Sequence, residues 1–379
     1  MADHLLEIND LNVRYRMDGP DVHPGDGVSL TVDHGETFGL VGESGCGKTT
    51  LAKSIIKLLD SNGDVESGEI WFDGTLPAWT DERGEVRRDV VDDPQYPVRE
   101  DGMTNLAELS LEQIRDVRWR NVALIPQSAL NALNPVYKVG DQIVEAITRH
   151  EPGTDVEEAR GRARDLLERV GIDRERADDY AHEFSGGMKQ RAVIAMSMAC
   201  NPDLLIADEP TTALDVIIQD RVLDEIKSLQ EEFDVAMLIV SHDISVMAET
   251  CDRMGVMYGG KMMESGTTES IFEETANPYT LGLRNSFPTV EEDQEQLVSI
   301  PGTPPTLRDP DPGCRFVDRC PFAVEECRDS HPPMYDVDRA LGEATGEVAH
   351  ESACYRLDDL EQVQEAAAKE ETWLQQTTH

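Results

Sequence analysis

Lysine is nearly missing from this sequence: eight residues, Lys48, Lys53, Lys57, Lys138, Lys189, Lys227, Lys261 and Lys369, stand among 379. Basic residues as a whole are few, 34 against 76 acidic ones, giving a formal charge of -42. That balance argues against a general nucleic-acid binder, which needs a basic face to meet phosphates. Long apolar runs are lacking too, since none approaches the roughly 18 residues of a membrane span. The N-terminus, MADHLLEIND, does not have the basic-then-apolar order of a secretory signal. The chain therefore reads as soluble and cytoplasmic. Internal repeats and a long coiled-coil pattern are absent as well, which leaves two domains, or one large domain with an appendage.

What is present is an alternation of short apolar runs with helical spacing. LLEINDLNVRY, VSLTV and ETFGLVG read as early strands, and GKTTLAKSIIKLL as the helix that follows. SGEIWFDG and NVALIPQ read as further strands, separated by a polar stretch over 75–116 that is expected to be a surface insertion. Residues 138–180 have helical spacing. PDLLIADEP and VAMLIVSHD are apolar runs of the buried parallel-strand kind, each leading into a helical pattern. This order predicts an α/β fold. Past about residue 285 the composition turns to proline, glycine and cysteine, so a boundary is expected there, with a body over 1–285 and a tail over 286–379.

The run GESGCGKTT fits G-x-x-x-x-G-K-[ST] at Gly42, Gly47, Lys48 and Thr49, with Gly45 inside it, after a strand and opening a helix. Backbone N–H groups in such a loop cradle phosphate, the lysine neutralises it and the hydroxyl reaches Mg²⁺. Asp208 and Glu209 end the strand LLIADE, where one carboxylate can hold Mg²⁺ through water and the next can polarise an attacking water. Gln127 and His242 close two other strands at the same expected sheet edge. A second glycine-rich run, SGGMKQ at 185–190, poses a question, because one nucleotide rarely needs two cradles from one chain.

Together with Tyr15, these motifs (Gln127, SGGMKQR, LLIADEP, TTALD and SHD) resemble, in order and spacing, the ABC-type ATPases over residues 5–285. The resemblance implies a RecA-like core that binds ATP, an antiparallel β subdomain at the N-terminus and a helical subdomain at about 128–185. It implies that Tyr15 stacks on adenine, and that Gly42, Glu43, Ser44, Gly45, Cys46, Gly47, Lys48, Thr49 and Thr50 hold the phosphates. Thr49, Gln127 and Asp208 would serve Mg²⁺; Glu209, His242 and Gln127 would serve catalysis. It also answers the question of the second run: Ser185, Gly186 and Gly187 would close on ATP held by another subunit, with Asp215 at the seam. Met188 replaces the family's usual glutamine, as is familiar in the peptide and nickel importer branch.

EFSGGMKQRAVIAMSMACNPDLLIADEPTTALDV, NPYTLGL and IPGTPP resemble that branch in particular, although Asn277 stands where it commonly has histidine. ALNPVYKVGDQI looks like the surface that receives a permease. The resemblance thus implies a motor subunit on the cytoplasmic face of the membrane. Its partners would be two transmembrane permeases, a second related ATPase in a heterodimer, and an extracellular solute-binding protein, with no nucleic acid. Peptides are the default cargo, with nickel or oligosaccharides as alternatives. A soluble ABC ATPase acting on DNA or ribosomes is the rival reading.

The tail places Cys314, Cys320, Cys327 and Cys354 at C-x5-C-x6-C-x26-C. Four thiolates can hold zinc or an iron–sulfur cluster, and the tight pairs of zinc ribbons are absent. GCRFVDRCPFAVEEC resembles the tail of peptide-importer ATPases, some of which carry a 4Fe-4S cluster, so a small cysteine-rich tail domain is expected. Cys200 and Cys251 read as small buried hydrophobes. LEQVQEAAAKEETWL reads as a packing helix. The diffuse acidic surface resembles that of proteins from salt-loving organisms, archaeal halophiles among them, where salt screens self-repulsion.

Overall fold

The computed structural model describes residues 4–74, 97–127, 132–211, 216–286, 300–342 and 348–374. Two sheets organise them. Strands β1 (Leu6–Tyr15), β2 (Val22–Val32), β4 (Gly63–Phe72) and β5 (Thr104–Asn105) form an antiparallel sheet in the order β2-β1-β4-β5. The second sheet runs β11 (Tyr335–Asp336), β12 (Glu351–Ser352), β10 (Lys261–Thr267), β9 (Arg253–Tyr258), β3 (Thr37–Val41), β8 (Ala236–Ser241), β7 (Leu204–Asp208), β6 (Val122–Ile125). Its core, β9-β3-β8-β7-β6, is parallel. All residues of β3, β7 and β8 are buried, so these strands are continuously apolar rather than alternating.

The parallel strands point their carboxyl ends at one edge, and that edge carries the site. Helices Val139–His150 and Val156–Arg169, with the start of helix Gly186–Ser197, make the helical part, sealed by Ile143, Ile147, Leu167, Val170 and Ile194. Among the described residues no helix is long and apolar enough to cross a membrane.

The tail corrects an expectation. Rather than standing as a separate cysteine-rich domain, it completes the main sheet: Ser352 and Glu351 pair with Glu264 and Ser265 of β10. Trp373 and Phe316, each 1% exposed, join the same apolar cluster as the parallel strands. A proline-rich segment has too few large side chains for its own core, and borrowing the body's core resolves that. A second correction concerns 75–116. Residues 75–96 lie outside the described residues, but Met103, Leu106, Leu109 and Ile114 are buried, so the later half contributes side chains to the core while its polar residues stay on the surface.

Candidate functional site

The phosphate loop leaves β3 at Val41 and turns into helix Lys48–Ile55 at a left-handed Gly47. Two glycines are required by contact. A Cβ at Gly42 (φ +154) would meet the Met257 carbonyl oxygen at 2.0 Å, and one at Gly47 (φ +114) would meet that of Pro24 at 1.8 Å. Lys48 is 4% exposed, and its Nζ donates to the carbonyls of Gly42 at 2.6 Å and Glu43 at 3.0 Å. Its cation is therefore held at the mouth of the loop. Tyr15 is half-buried, and its ring lies against Gly63, whose Cβ would meet it at 2.5 Å.

Three strand ends bring the polar residues together. The Thr49 hydroxyl donates to Asp208 Oδ1 at 2.7 Å. Asp208 is fully buried, its Oδ2 has no partner, and burial raises its pKa against the pull of Thr49 and Lys53. A buried carboxylate oxygen without a donor, beside a hydroxyl, is an environment that a hard cation satisfies, and the oxygens of Thr49 and Asp208 fit Mg²⁺. Gln127 Nε2 donates to Glu209 Oε2 at 2.9 Å, and His242 Nδ1 lies 3.5 Å from Glu209 Oε1. Glu209 adopts φ +49, an unusual backbone for a non-glycine residue, while its N–H donates to Val240. That turn lifts the carboxylate off the strand and toward Gln127 and His242.

Ser185 caps helix Gly186–Ser197, its Oγ accepting from Met188 N at 3.3 Å. Ser185 and Gly186 are exposed, at a helix end whose amides favour anions. Gln190 was not singled out by the sequence. It is 5% exposed, and its Nε2 donates to the Pro210 carbonyl at 2.5 Å, tying this helix to the residue after Glu209. Asp215 lies outside the described residues.

Glu43 has partners that the sequence did not announce. Arg319 grips it with Nη1 on Oε2 at 2.6 Å and Nη2 on Oε1 at 3.0 Å, and its own N–H donates to the Tyr279 hydroxyl at 2.9 Å. An arginine in a cysteine- and proline-rich loop follows no periodicity, so nothing in the pattern marks it.

A family model described as ABC transporter matches residues 26–212, and one described as oligopeptide/dipeptide transporter, C-terminal region, matches 263–327. The oligopeptide transport ATP-binding protein OppD of Bacillus subtilis is 40% identical over 337 residues, covering 88% of this chain and 86% of its own length. The chain belongs to the ABC transporter family. The dipeptide transport ATP-binding protein DppD of the same organism is 39% identical, with 87% of this chain and 90% of that protein covered. Among solved structures, the dimeric bacterial ABC transporter cassette MJ0796 matches with a TM-score of 0.56 at 23% identity, over 69% of this chain and 98% of that one. CbiO1 from Clostridium perfringens, part of the complex cbiONQ, matches with a TM-score of 0.54 at 24% identity, over 75% of this chain and 96% of that one. These structures support the fold. As an ABC transporter ATPase, the chain couples ATP hydrolysis to transport and works with membrane permeases.

In this ABC ATPase the four tail cysteines are free thiols, three of them buried. The Cys354 sulfur also accepts the Arg356 N–H, at 3.4 Å. Burial pushes the Cys314 thiol up to about 11 and Cys354 to about 12. The sulfurs do not form a compact quartet. Among the described residues, the metal-type donors that gather within 4.8 Å of one another are Glu274, Asp338 and His350. A single tetrahedral zinc would need the sulfurs about 3.8 Å apart, so these positions do not fit the zinc alternative.

Proposed function

We propose that this chain is the ATP-hydrolysing motor of an importer for dipeptides or oligopeptides, peripheral to the cytoplasmic face of the membrane. It would act on two permeases with a second, related ATPase, and receive cargo through an extracellular solute-binding protein. The peptide assignment rests on relatives named for peptide transport; nickel or oligosaccharides remain the alternative cargo. The observation that carries the ATPase chemistry is the convergence of Thr49 on Asp208, and of Gln127 and His242 on Glu209, beside the phosphate loop.

In this reading the loop residues Gly42, Glu43, Ser44, Gly45, Cys46, Gly47, Lys48, Thr49 and Thr50 receive the phosphates. Lys48 turns from the loop's carbonyls to the β and γ groups, and Tyr15 stacks on adenine. Mg²⁺, when bound, would be held by Thr49, Gln127 and, through water, Asp208, and would neutralise phosphate charge. Glu209 polarises the attacking water, while His242 contacts the γ-phosphate and places that water. Gln127, bonded to Glu209, reports the γ-phosphate to the helical part. Ser185, Gly186 and Gly187 close on the partner's ATP, with Asp215 at the seam. Closure moves the permeases, and hydrolysis reopens the pair.

For the tail we propose a 4Fe-4S cluster on Cys314, Cys320, Cys327 and Cys354. The resemblance of GCRFVDRCPFAVEEC, with the distant Cys354, to the tails of peptide-importer ATPases supports it, as does the burial of Cys320, Cys327 and Cys354 in the folded tail. It would staple the tail or sense redox state. The acidic surface is proposed as an adaptation to high salt, so a melting temperature that rises with molar KCl is expected and one that falls would oppose it. The experiment for the function as a whole is reconstitution of the chain with its permeases and binding protein in vesicles. Peptide-stimulated ATP hydrolysis is expected; stimulation by nickel or sugar alone, or by nucleic acid, would replace the reading.

A further inference from the structure

Glu43 sits one residue after Gly42, inside the loop that must receive a polyanion. A free carboxylate at that place would repel phosphate, since its charge lies within a few ångströms of the site and well inside the screening length. Arg319 removes that charge. Its two Nη atoms meet both carboxylate oxygens, the fork geometry that lysine cannot reproduce. The guanidinium is itself fixed from several sides. Nε donates to the Pro301 carbonyl at 2.8 Å, Nη1 donates to the Tyr258 hydroxyl at 3.0 Å, and Cζ lies 5.6 Å from the Tyr258 ring centre and 5.9 Å from that of Phe316. Arg319 is 7% exposed. Burial opposes its charge, yet the Glu43 and Tyr258 contacts win and hold its pKa above the ordinary arginine value.

The second anchor on Glu43 also comes from outside the loop. Tyr279, fully buried, accepts the Glu43 N–H, and its ring sits 4.5 Å from that of Tyr258 and 5.3 Å from that of Phe316. Glu43 is therefore held by its side chain and its amide from residues 279 and 319, while Lys48 holds its carbonyl from within the loop. The pair Arg319–Glu43 spans 276 residues of sequence, and Arg319 adjoins Cys320.

We propose that Arg319 is a positioning residue for the phosphate loop: by neutralising and anchoring Glu43 it sets nucleotide affinity from the C-terminal region. The loop is built by the ATPase body but is made phosphate-ready by the tail. Whatever orders or loosens the segment around Cys320 then reaches ATP through one ion pair. A purely structural strut would behave differently, because its loss could not be repaired by changing the charge of its partner. Breaking a buried pair leaves a lone charge, whereas removing both charges does not.

The inference rests on the nucleotide-binding reading, and the experiment separates the two. Full-length chain, with Mg²⁺ and a non-hydrolysable ATP analogue, is titrated by calorimetry, and melting curves are taken for each variant. Arg319→Met should weaken binding by at least about tenfold, the scale of one uncompensated charge near a polyanion. Arg319→Met combined with Glu43→Gln should return to within about threefold of the wild type. Arg319→Lys, which keeps a cation beside Glu43 but not the two-pronged fork, should lose less affinity than Arg319→Met, which keeps the test open should Arg319→Met fail to fold. Unchanged affinity in Arg319→Met, equal losses in Arg319→Met and in the double variant, or a loss in Arg319→Lys as large as in Arg319→Met would each overturn the inference. Failure of the wild type to bind the analogue at all would instead overturn the nucleotide reading.

Discussion

The hydroxyl of Thr49 donates to the carboxylate of Asp208 at 2.7 Å across 159 residues of sequence, joining the first turn of one helix to the end of a buried strand. Asp208 Oδ2 is left with no partner in a fully buried position. Such an oxygen is costly unless a cation or ordered water meets it, so the pair is built for occupancy rather than for packing.

Replacement of Asp208 by asparagine keeps the shape and the Thr49 bond but removes the charge. Mg²⁺-dependent nucleotide affinity should fall by about 10–100-fold, the scale on which metal sites respond to loss of a supporting group. Nucleotide binding in EDTA should change far less. Equal affinity of wild type and variant across a Mg²⁺ titration would remove Asp208 from the cation site.

His331 gives the tail a pH signature. Burial, assisted by Lys261 and Arg315 and opposed by Asp26, lowers its pKa to about 3. Between that value and the ordinary one near 6.5, the unfolded chain binds a proton that the folded chain refuses, so stability is full at neutral pH and declines as pH falls through this window. His331→Leu should flatten the fall in melting temperature between about pH 6.5 and 4. A variant whose melting temperature tracks the wild type in parallel would show that His331 is not the group responsible.

The four tail cysteines make a spectroscopic prediction. Protein purified without oxygen should be brown and carry about four irons per chain. Cys320→Ser should bleach it and lower the melting temperature, while Cys200→Ser and Cys251→Ser, whose thiols are buried elsewhere, should keep the colour. Colourless protein with one zinc per chain would return the zinc reading; colourless metal-free protein with a stable tail would remove both.

How much of this was legible depended on the physics that writes each feature into sequence. LLIAD and AMLIVS are buried on both faces, so their apolar runs announced buried strands. The phosphate loop was legible because Gly42 and Gly47 are demanded by carbonyl oxygens against their α-carbons. β12 was not, because Glu351 and Ser352 join the sheet through backbone bonds that carry no side-chain pattern. Asn277 shows the same limit. The substitution for the family's histidine gave no guide to its role, yet it is 1% exposed, caps the helix of Tyr279 and donates to the carbonyls of Met263 and Ala353. Arg319 reaches Glu43 only through the folded chain. The positive φ of Glu209 was likewise invisible, though it aims the carboxylate at Gln127 and His242.

Glu209 carries the central claim, and one substitution tests it. Glu209→Gln preserves the size and the possibility of bonding Gln127, but an amide is a poor base. Measured in the assembled transporter in vesicles, steady-state ATP hydrolysis should fall by about 100-fold or more, the contribution of a positioned general base, while ATP affinity stays within about threefold of the wild type. Undiminished turnover in that variant, with ATP bound as tightly as before, would contradict the assignment of the Gln127–Glu209–His242 edge as the hydrolytic site.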